Sequence, residues 1–123
     1  MATIERFEDI EAWQEARKLT RMVYAATRKG GFARDYRFCS QIQAAAVSVM
    51  SNIAEGFESQ SNRTFIRYLF IAKGSAGEVR SQLYVALDQG YISPEEFEAL
   101  YNRATLTSKK IAGFIRYLQS RLD

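Results

Sequence analysis

The stretch QIQAAAVSVMSNIAEG, residues 41–56, decides the fold of this chain. At about 100° per residue its apolar residues fall on one face of a helix, and a polar stripe borders that face. The stripe consists of Gln41, Ser48, Asn52 and Glu55. The remaining face is too apolar for a surface in contact with water. Its residues are Ala44, Val47, Met50 and Ala54. We therefore predict a helix that is covered on both sides.

The rest of the sequence predicts three more helices. Asp9 is a candidate N-cap for the first helix, which the linker GGFAR ends, and Ser61 is a candidate N-cap for the third. Ser93 opens the capping-box sequence Ser-Pro-Glu-Glu at the start of the fourth. We expect an all-α, antiparallel up-down-up-down four-helix bundle in which residues 1–123 form a single domain. The predicted helices cover about residues 10–29, 35–57, 62–89 and 94–121.

The composition narrows the class of function. The chain has no histidine and a single cysteine, Cys39, so the commonest general base and metal ligand are missing. It also has no glycine-rich phosphate loop and no nucleophile elbow. We expect a protein that is not an enzyme and that needs no metal or cofactor. Because no apolar run approaches the ~20 residues of a membrane span, and the N-terminus is acidic, we expect a cytoplasmic protein without a membrane role.

A basic patch covers the first helix and the start of the second. Only one acid, Asp35, lies between residues 16 and 37. Cations at a helix start gain nothing from the helix dipole, which suggests that Arg34 and Arg37 serve another purpose. The patch either binds nucleic-acid phosphates or is a solvated face paired with acids such as Glu95, Glu96 and Glu98 of the same or a neighbouring subunit. Its residues are Arg17, Lys18, Arg21, Arg28, Lys29, Arg34 and Arg37.

Polar residues of the second and third helices form a further candidate site. Two glutamates near a serine could in principle hold a cation or move a proton. We favour a structural hydrogen-bond network that fixes the helix register, because two carboxylates without histidine activate a nucleophile poorly. The set comprises Gln41, Ser48, Asn52, Glu55, Ser75 and Glu78.

The third helix carries a second apolar strip with glycines on or beside it. A glycine inside a helix costs about 1 kcal/mol relative to alanine, which is reasonable where another backbone approaches closely. We infer a partner subunit on this side of the bundle. The predicted oligomer interface comprises Ala44, Val47, Met50, Ala54, Ile66, Phe70, Gly74, Gly77 and Tyr84.

Several motifs resemble the bacterial four-helix-bundle family whose founding members are encoded by intervening sequences within 23S ribosomal RNA genes. They are F-x-D-I-x-x-W at residues 7–13, the block at 41–56, YLFIAKGSAGE at 68–78 and GYI at 90–92. The resemblance implies an antiparallel bundle that assembles into a ring of five subunits. It also implies similarity to accessory proteins of diversity-generating retroelements, which present basic surface to nucleic acid and bind a reverse transcriptase. Ala44, where many relatives carry a basic residue, weakens a phosphate-binding role for the second helix itself.

Two functions remain open from the residues and the resemblance together. The first is a homo-oligomeric, pentameric and non-catalytic adaptor that binds RNA or DNA through the backbone with weak sequence specificity. The alternative is a structural or scaffolding oligomer that binds a protein partner, such as a reverse transcriptase, through apolar helix faces and has no nucleic-acid role. In both, the first partner is another copy of the chain.

Overall fold

A computed structural model describes residues 4–122, which form a 3-10 helix and five α-helices. The ends of the predicted 1–123 domain, residues 1–3 and Asp123, lie outside the described part. The 3-10 helix covers Phe7–Asp9, and the α-helices are α1 (Glu11–Thr27), α2 (Gly30–Arg34), α3 (Tyr36–Glu58), α4 (Asn62–Asp88) and α5 (Pro94–Gln119). No strand occurs within residues 4–122, so the predicted all-α class is confirmed. Within the same residues, no helix is long and apolar enough to cross a membrane.

The four long helices pack as a closed bundle. α3 lies against α1 and α4, and α5 lies against α4 and α1. The connections at residues 59–61 and 89–93 are short, so α4 runs antiparallel to α3 and α5 runs antiparallel to α4. The bonds of Thr20 with Ala46 and of Thr27 with Gln43 show that α3 runs antiparallel to α1. Every long helix therefore has two neighbours and one face turned away from the bundle.

The helix starts follow the predicted caps with one exception. The Ser61 hydroxyl accepts a hydrogen bond from the backbone N–H of Thr64, and Ser93 and Glu96 form the complete capping box. The Asp9 cap is wrong, because Asp9 belongs to the 3-10 helix and Ile10 occupies the N-cap position of α1 without a side-chain bond. The start of α1 is set instead by burial of Ile10 in the core.

The predicted linker GGFAR forms helix α2 instead. Gly30 has φ +51°, a left-handed conformation that glycine adopts without steric cost, and it allows the chain to turn out of α1. The ring of Phe32 is buried and stacks on Phe38 and Tyr91, with ring centroids 5.5 Å and 5.2 Å away. Burial of this one aromatic residue accounts for a helix where the glycines alone indicated a loop.

The core consists of two clusters, one toward each end of the bundle. The first includes Phe32 with Leu19, Ile42 and Leu83, and the second includes Ile10 with residues of all four long helices. The main apolar stripe of α4 is buried along its whole length. It comprises Phe65, Leu69, Ala72, Ala76, Val79, Leu83 and Ala86.

Candidate nucleic-acid interface

The outer face of α1 carries a row of exposed arginines. Ala16, Leu19 and Val23 are buried, which turns the opposite side of the helix to solvent. Arg17, Arg21 and Arg28 are all exposed on that side. At a rise of about 1.5 Å per residue, they extend over roughly 16 Å along the helix. A row of this length can contact several phosphates of one nucleic-acid strand.

Most of the basic patch has no acidic partner within the described chain. Lys18 forms an ion pair with Glu15, with 3.4 Å between Nζ and Oε2, and the guanidinium of Arg17 lies 5.9 Å from the ring centre of Trp13. Among residues 4–122 no ion pair involves the other cations of the patch. These six cations are Arg17, Arg21, Arg28, Lys29, Arg34 and Arg37. The carboxylate of Glu96 accepts a hydrogen bond from the backbone N–H of Ser93, so it does not neutralise the patch of its own chain.

A further cation, Arg103 of α5, joins this surface. Its guanidinium donates a hydrogen bond to Glu15 of α1. Burial raises the pKa of the Glu15 carboxyl, but the hydrogen bonds from Arg103 and Lys18 outweigh it and hold that pKa below its usual value. Sequence analysis missed Arg103 because the two partners are 88 residues apart and no local pattern connects them.

Arg103 and α1 together line an open concave surface. Its volume is about 710 Å³. Three further cations face it, so the depression presents positive charge with Glu15 as the neighbouring acid. The lining residues are Lys18, Thr20, Arg21, Met22, Tyr24, Ala25, Arg28 and Arg103. Such a surface suits a polyanion better than a small neutral ligand.

Arg34 and Arg37 lie at the corner between α2 and α3, where the single nearby acid is turned inward. The Asp35 carboxylate accepts a hydrogen bond from the Phe38 backbone at 3.2 Å and another from the Tyr91 hydroxyl at 2.8 Å. The second bond raises the pKa of the Tyr91 phenol. Both carboxylate oxygens are thus engaged, which leaves the two arginines as the charges presented to solvent.

Only three of the six residues in the predicted polar network of α3 and α4 are hydrogen-bonded to one another. The hydroxyls of Ser48 and Ser75 are 2.9 Å apart, and the Asn52 amide donates to the Ser48 hydroxyl at 3.0 Å. Gln41 and Glu55 are exposed, in contrast to the predicted network. Glu78 is exposed too and accepts a hydrogen bond from Gln82 of its own helix at 3.2 Å. One hydrogen bond, between Ser48 and Ser75, therefore joins α3 to α4, and Asn52 supports Ser48 from within α3.

Residues 8–113 match the sequence profile of 23S rRNA-intervening sequence proteins. The chain belongs to the 23S rRNA-intervening sequence protein family. The resemblance that the sequence motifs indicated is confirmed.

The solved structure of another protein is similar to this member of the 23S rRNA-intervening sequence family. It is the crystal structure of a protein of unknown function from the S23 ribosomal protein family of Bacteroides thetaiotaomicron VPI-5482. The two chains are 24% identical with a TM-score of 0.78, and the similarity covers 85% of this chain and 95% of that chain. At this identity the similarity establishes the bundle fold. Among curated proteins, none matches the chain.

The predicted oligomer interface of this family member is partly turned outward. Met50 and Ile66 are half-buried against the core of their own chain, in contrast to the prediction. Ala54 and Gly77 are also half-buried. Phe70 is 53% exposed. The exposed members are Ala44, Val47, Phe70, Gly74 and Tyr84.

Tyr84 belongs to a small aromatic cluster at the surface. Its ring is 50% exposed and lies 4.9 Å from Phe97 and 5.7 Å from Tyr101, measured between ring centroids. Ile71 and Val85, which were not predicted, add to the exposed apolar surface of α4. The outer side of α4 is therefore more apolar than a helix face normally exposed to water.

Proposed function

We propose that this protein is a non-catalytic, homo-oligomeric adaptor that binds RNA or DNA through the phosphate backbone. The observation that carries the proposal is the row of Arg17, Arg21 and Arg28, which has no ion-pair partner among residues 4–122. Arginines that neutralise phosphates release condensed counterions, which drives binding without base recognition. Among residues 4–122 no strand lies beside the row to read base edges, so weak sequence specificity is expected.

Repetition of the surface in an oligomer supports useful affinity. A net charge of +3 per chain is modest, but several copies held together act on one polyanion with an increased effective concentration. The exposed apolar side of α4 supports such an assembly, and a ring of five is the form that the sequence resemblance suggests. The proposed location is the cytoplasm.

A pair of matched double variants tests the nucleic-acid role. Arg21→Glu with Arg28→Glu reverses two charges seven residues apart, one on α1 and one at its C-cap, and Lys109→Glu with Arg116→Glu makes the same change on exposed α5 positions. Binding of labelled RNA is followed by fluorescence anisotropy between about 50 and 200 mM salt. We expect the α1 variant to bind much more weakly and to lower the slope of log affinity against log salt by about 2. The α5 variant should bind nearly as the wild type does.

Two results would contradict the proposal. One is no RNA or DNA binding by the wild type at low salt. The other is an equal loss of affinity in the α1 and α5 variants, which would show that total charge matters and the α1 face does not.

A structural scaffold is the second candidate function. It is favoured by the exposed Phe70, Ile71 and Val85, which could bind an apolar patch of a protein partner. A reverse transcriptase is the partner class that the resemblance suggests. Under this alternative, the oligomer persists but nucleic acid does not bind at any salt concentration.

A further inference from the structure

We infer that Tyr36 is a stacking platform for an unpaired base, so that the ligand of the proposed function is single-stranded nucleic acid. This inference rests on the nucleic-acid role proposed above. Tyr36 is 78% exposed, more than any other large hydrophobic side chain among residues 4–122. It stands between Arg34 and Arg37, both exposed and both without an ion pair in that part of the chain.

The backbone that carries Tyr36 is held firmly from inside. Asp35, the preceding residue, bonds to the backbone of Phe38 and to the hydroxyl of Tyr91. The thiol of Cys39 donates a hydrogen bond to the carbonyl of Phe32 at 2.9 Å, which ties the start of α3 to α2. The backbone under Tyr36 therefore needs no reordering when a base stacks on the ring, and a tyrosine side chain has only two χ angles to fix.

Helix geometry places Tyr36 near the C-terminal end of α1. Residues seven apart lie on the same side of a helix, so Tyr36 shares the side of Gln43. The Gln43 amide donates to the Thr27 hydroxyl at 2.9 Å, and Thr27 is the last residue of α1. Tyr36 therefore lies on the α1 side of α3, about 10 Å further along the axis. Arg28 and Lys29 are exposed in the chain just after α1, so these two cations and Tyr36 lie toward the same end of the bundle.

The exposed ring of Tyr36 favours single-stranded over double-stranded nucleic acid. Arg34 and Arg37 can neutralise phosphates of either form. A tyrosine ring can stack only on a base whose face is free, and the bases inside a duplex are already stacked on each other. The arginines would thus support both forms, whereas Tyr36 adds affinity for an unpaired strand alone.

Three substitutions at Tyr36 separate stacking from apolar contact. Tyr36→Ala and Tyr36→Leu remove the aromatic ring, and Tyr36→Trp keeps one. Affinities are measured for an RNA strand of mixed sequence and for the duplex of the same length. Because one stacked base contributes about 1–3 kcal/mol, we expect the Ala and Leu variants to bind the single strand roughly 5- to 160-fold more weakly. The Trp variant should keep the affinity, and duplex binding should change less than about 2-fold in every variant.

Each possible outcome has a defined meaning. The inference is wrong if Tyr36→Ala binds the single strand as tightly as the wild type, or if it loses strand and duplex affinity equally. In either case the nucleic-acid role still stands when Arg21→Glu with Arg28→Glu weakens binding. If the wild type binds neither form, both proposals fail. Because Tyr36 is exposed, unchanged thermal unfolding verifies that the variants remain folded.

Discussion

At the scale of single residues, Gly56 and Gly74 differ in how closely other atoms approach them. A Cβ atom added to Gly56 would lie 2.6 Å from the Phe65 ring and 2.8 Å from the Cβ atom of Tyr68. One added to Gly74 would meet nothing within 4 Å in the described chain. Gly56 is therefore required by the close approach of α3 and α4. Gly74 has no such requirement within one chain, although it costs helix stability.

Substitution of Gly56 measures that close approach. We expect Gly56→Ala to lower the free energy of unfolding by about 1–3 kcal/mol, because the added methyl group must displace tightly packed neighbours. Gly113→Ala is the matched control: its Cβ atom would come no nearer than 3.8 Å, to an arginine side chain. The control should be neutral or more stable by up to about 1 kcal/mol. Urea unfolding that finds both variants equally stable would contradict this assignment.

Sequence alone could predict part of the candidate site at this scale. The exposure of Arg17, Arg21 and Arg28 followed from their spacing opposite a core stripe. Tyr36 was missed, although its position between Arg34 and Arg37 was a usable signal. The inward turn of Asp35 depends on Tyr91, which is 56 residues away, so no local pattern could indicate it.

The elements themselves were largely predictable, since each long helix has its own apolar stripe. Local caps at Ser61 and Ser93 set helix starts to within a residue. The exceptions are α2 and the 3-10 helix. Both depend on tertiary burial, of Phe32 in one case and of Ile10 just after the other, which local propensity does not contain.

The ion pair of Glu15 on α1 with Arg103 on α5 makes the stability of the bundle depend on pH. The pKa of Glu15 is lower in the folded chain than the usual 4.5. Its contribution to stability is therefore complete above pH 4.5 and is lost as pH falls through the folded pKa. We expect Glu15→Gln to be less stable than wild type by roughly 1 kcal/mol at neutral pH, with the difference vanishing in acid.

Urea unfolding at neutral pH and well below pH 4.5 checks this expectation. Glu98→Gln is a suitable control, because its exposed carboxylate forms no ion pair among residues 4–122. A stability difference for Glu15→Gln that does not depend on pH would show that lost packing, and no charge effect, is responsible.

Assembly belongs to the scale of the whole molecule. The apolar side of α4 and the open surroundings of Gly74 both suggest that another copy packs there. We expect the wild type to have a solution mass that is a multiple of 14.1 kDa. Gly74→Ala should shift the distribution toward smaller species, because a methyl group would separate the two backbones.

Light scattering during size-exclusion chromatography provides the measurement. Gly113→Ala, on a different helix, should keep the mass of the wild type. A wild type that elutes as a stable 14.1 kDa species would contradict the assembly. In that case Gly74→Ala should only raise stability, by about 1 kcal/mol.

The contacts between α1 and α5 also affect how the protein is made. Glu11 and Glu15 meet Lys110 and Arg103, partners that follow 99 and 88 residues later in the chain. During synthesis the first helix emerges from the ribosome long before the last, so the side of α1 that faces α5 stays uncovered until translation is nearly finished. We expect closure of this seam to be the most non-local step of folding. A nascent chain that pauses before Arg103 leaves Glu11 and Glu15 without these partners.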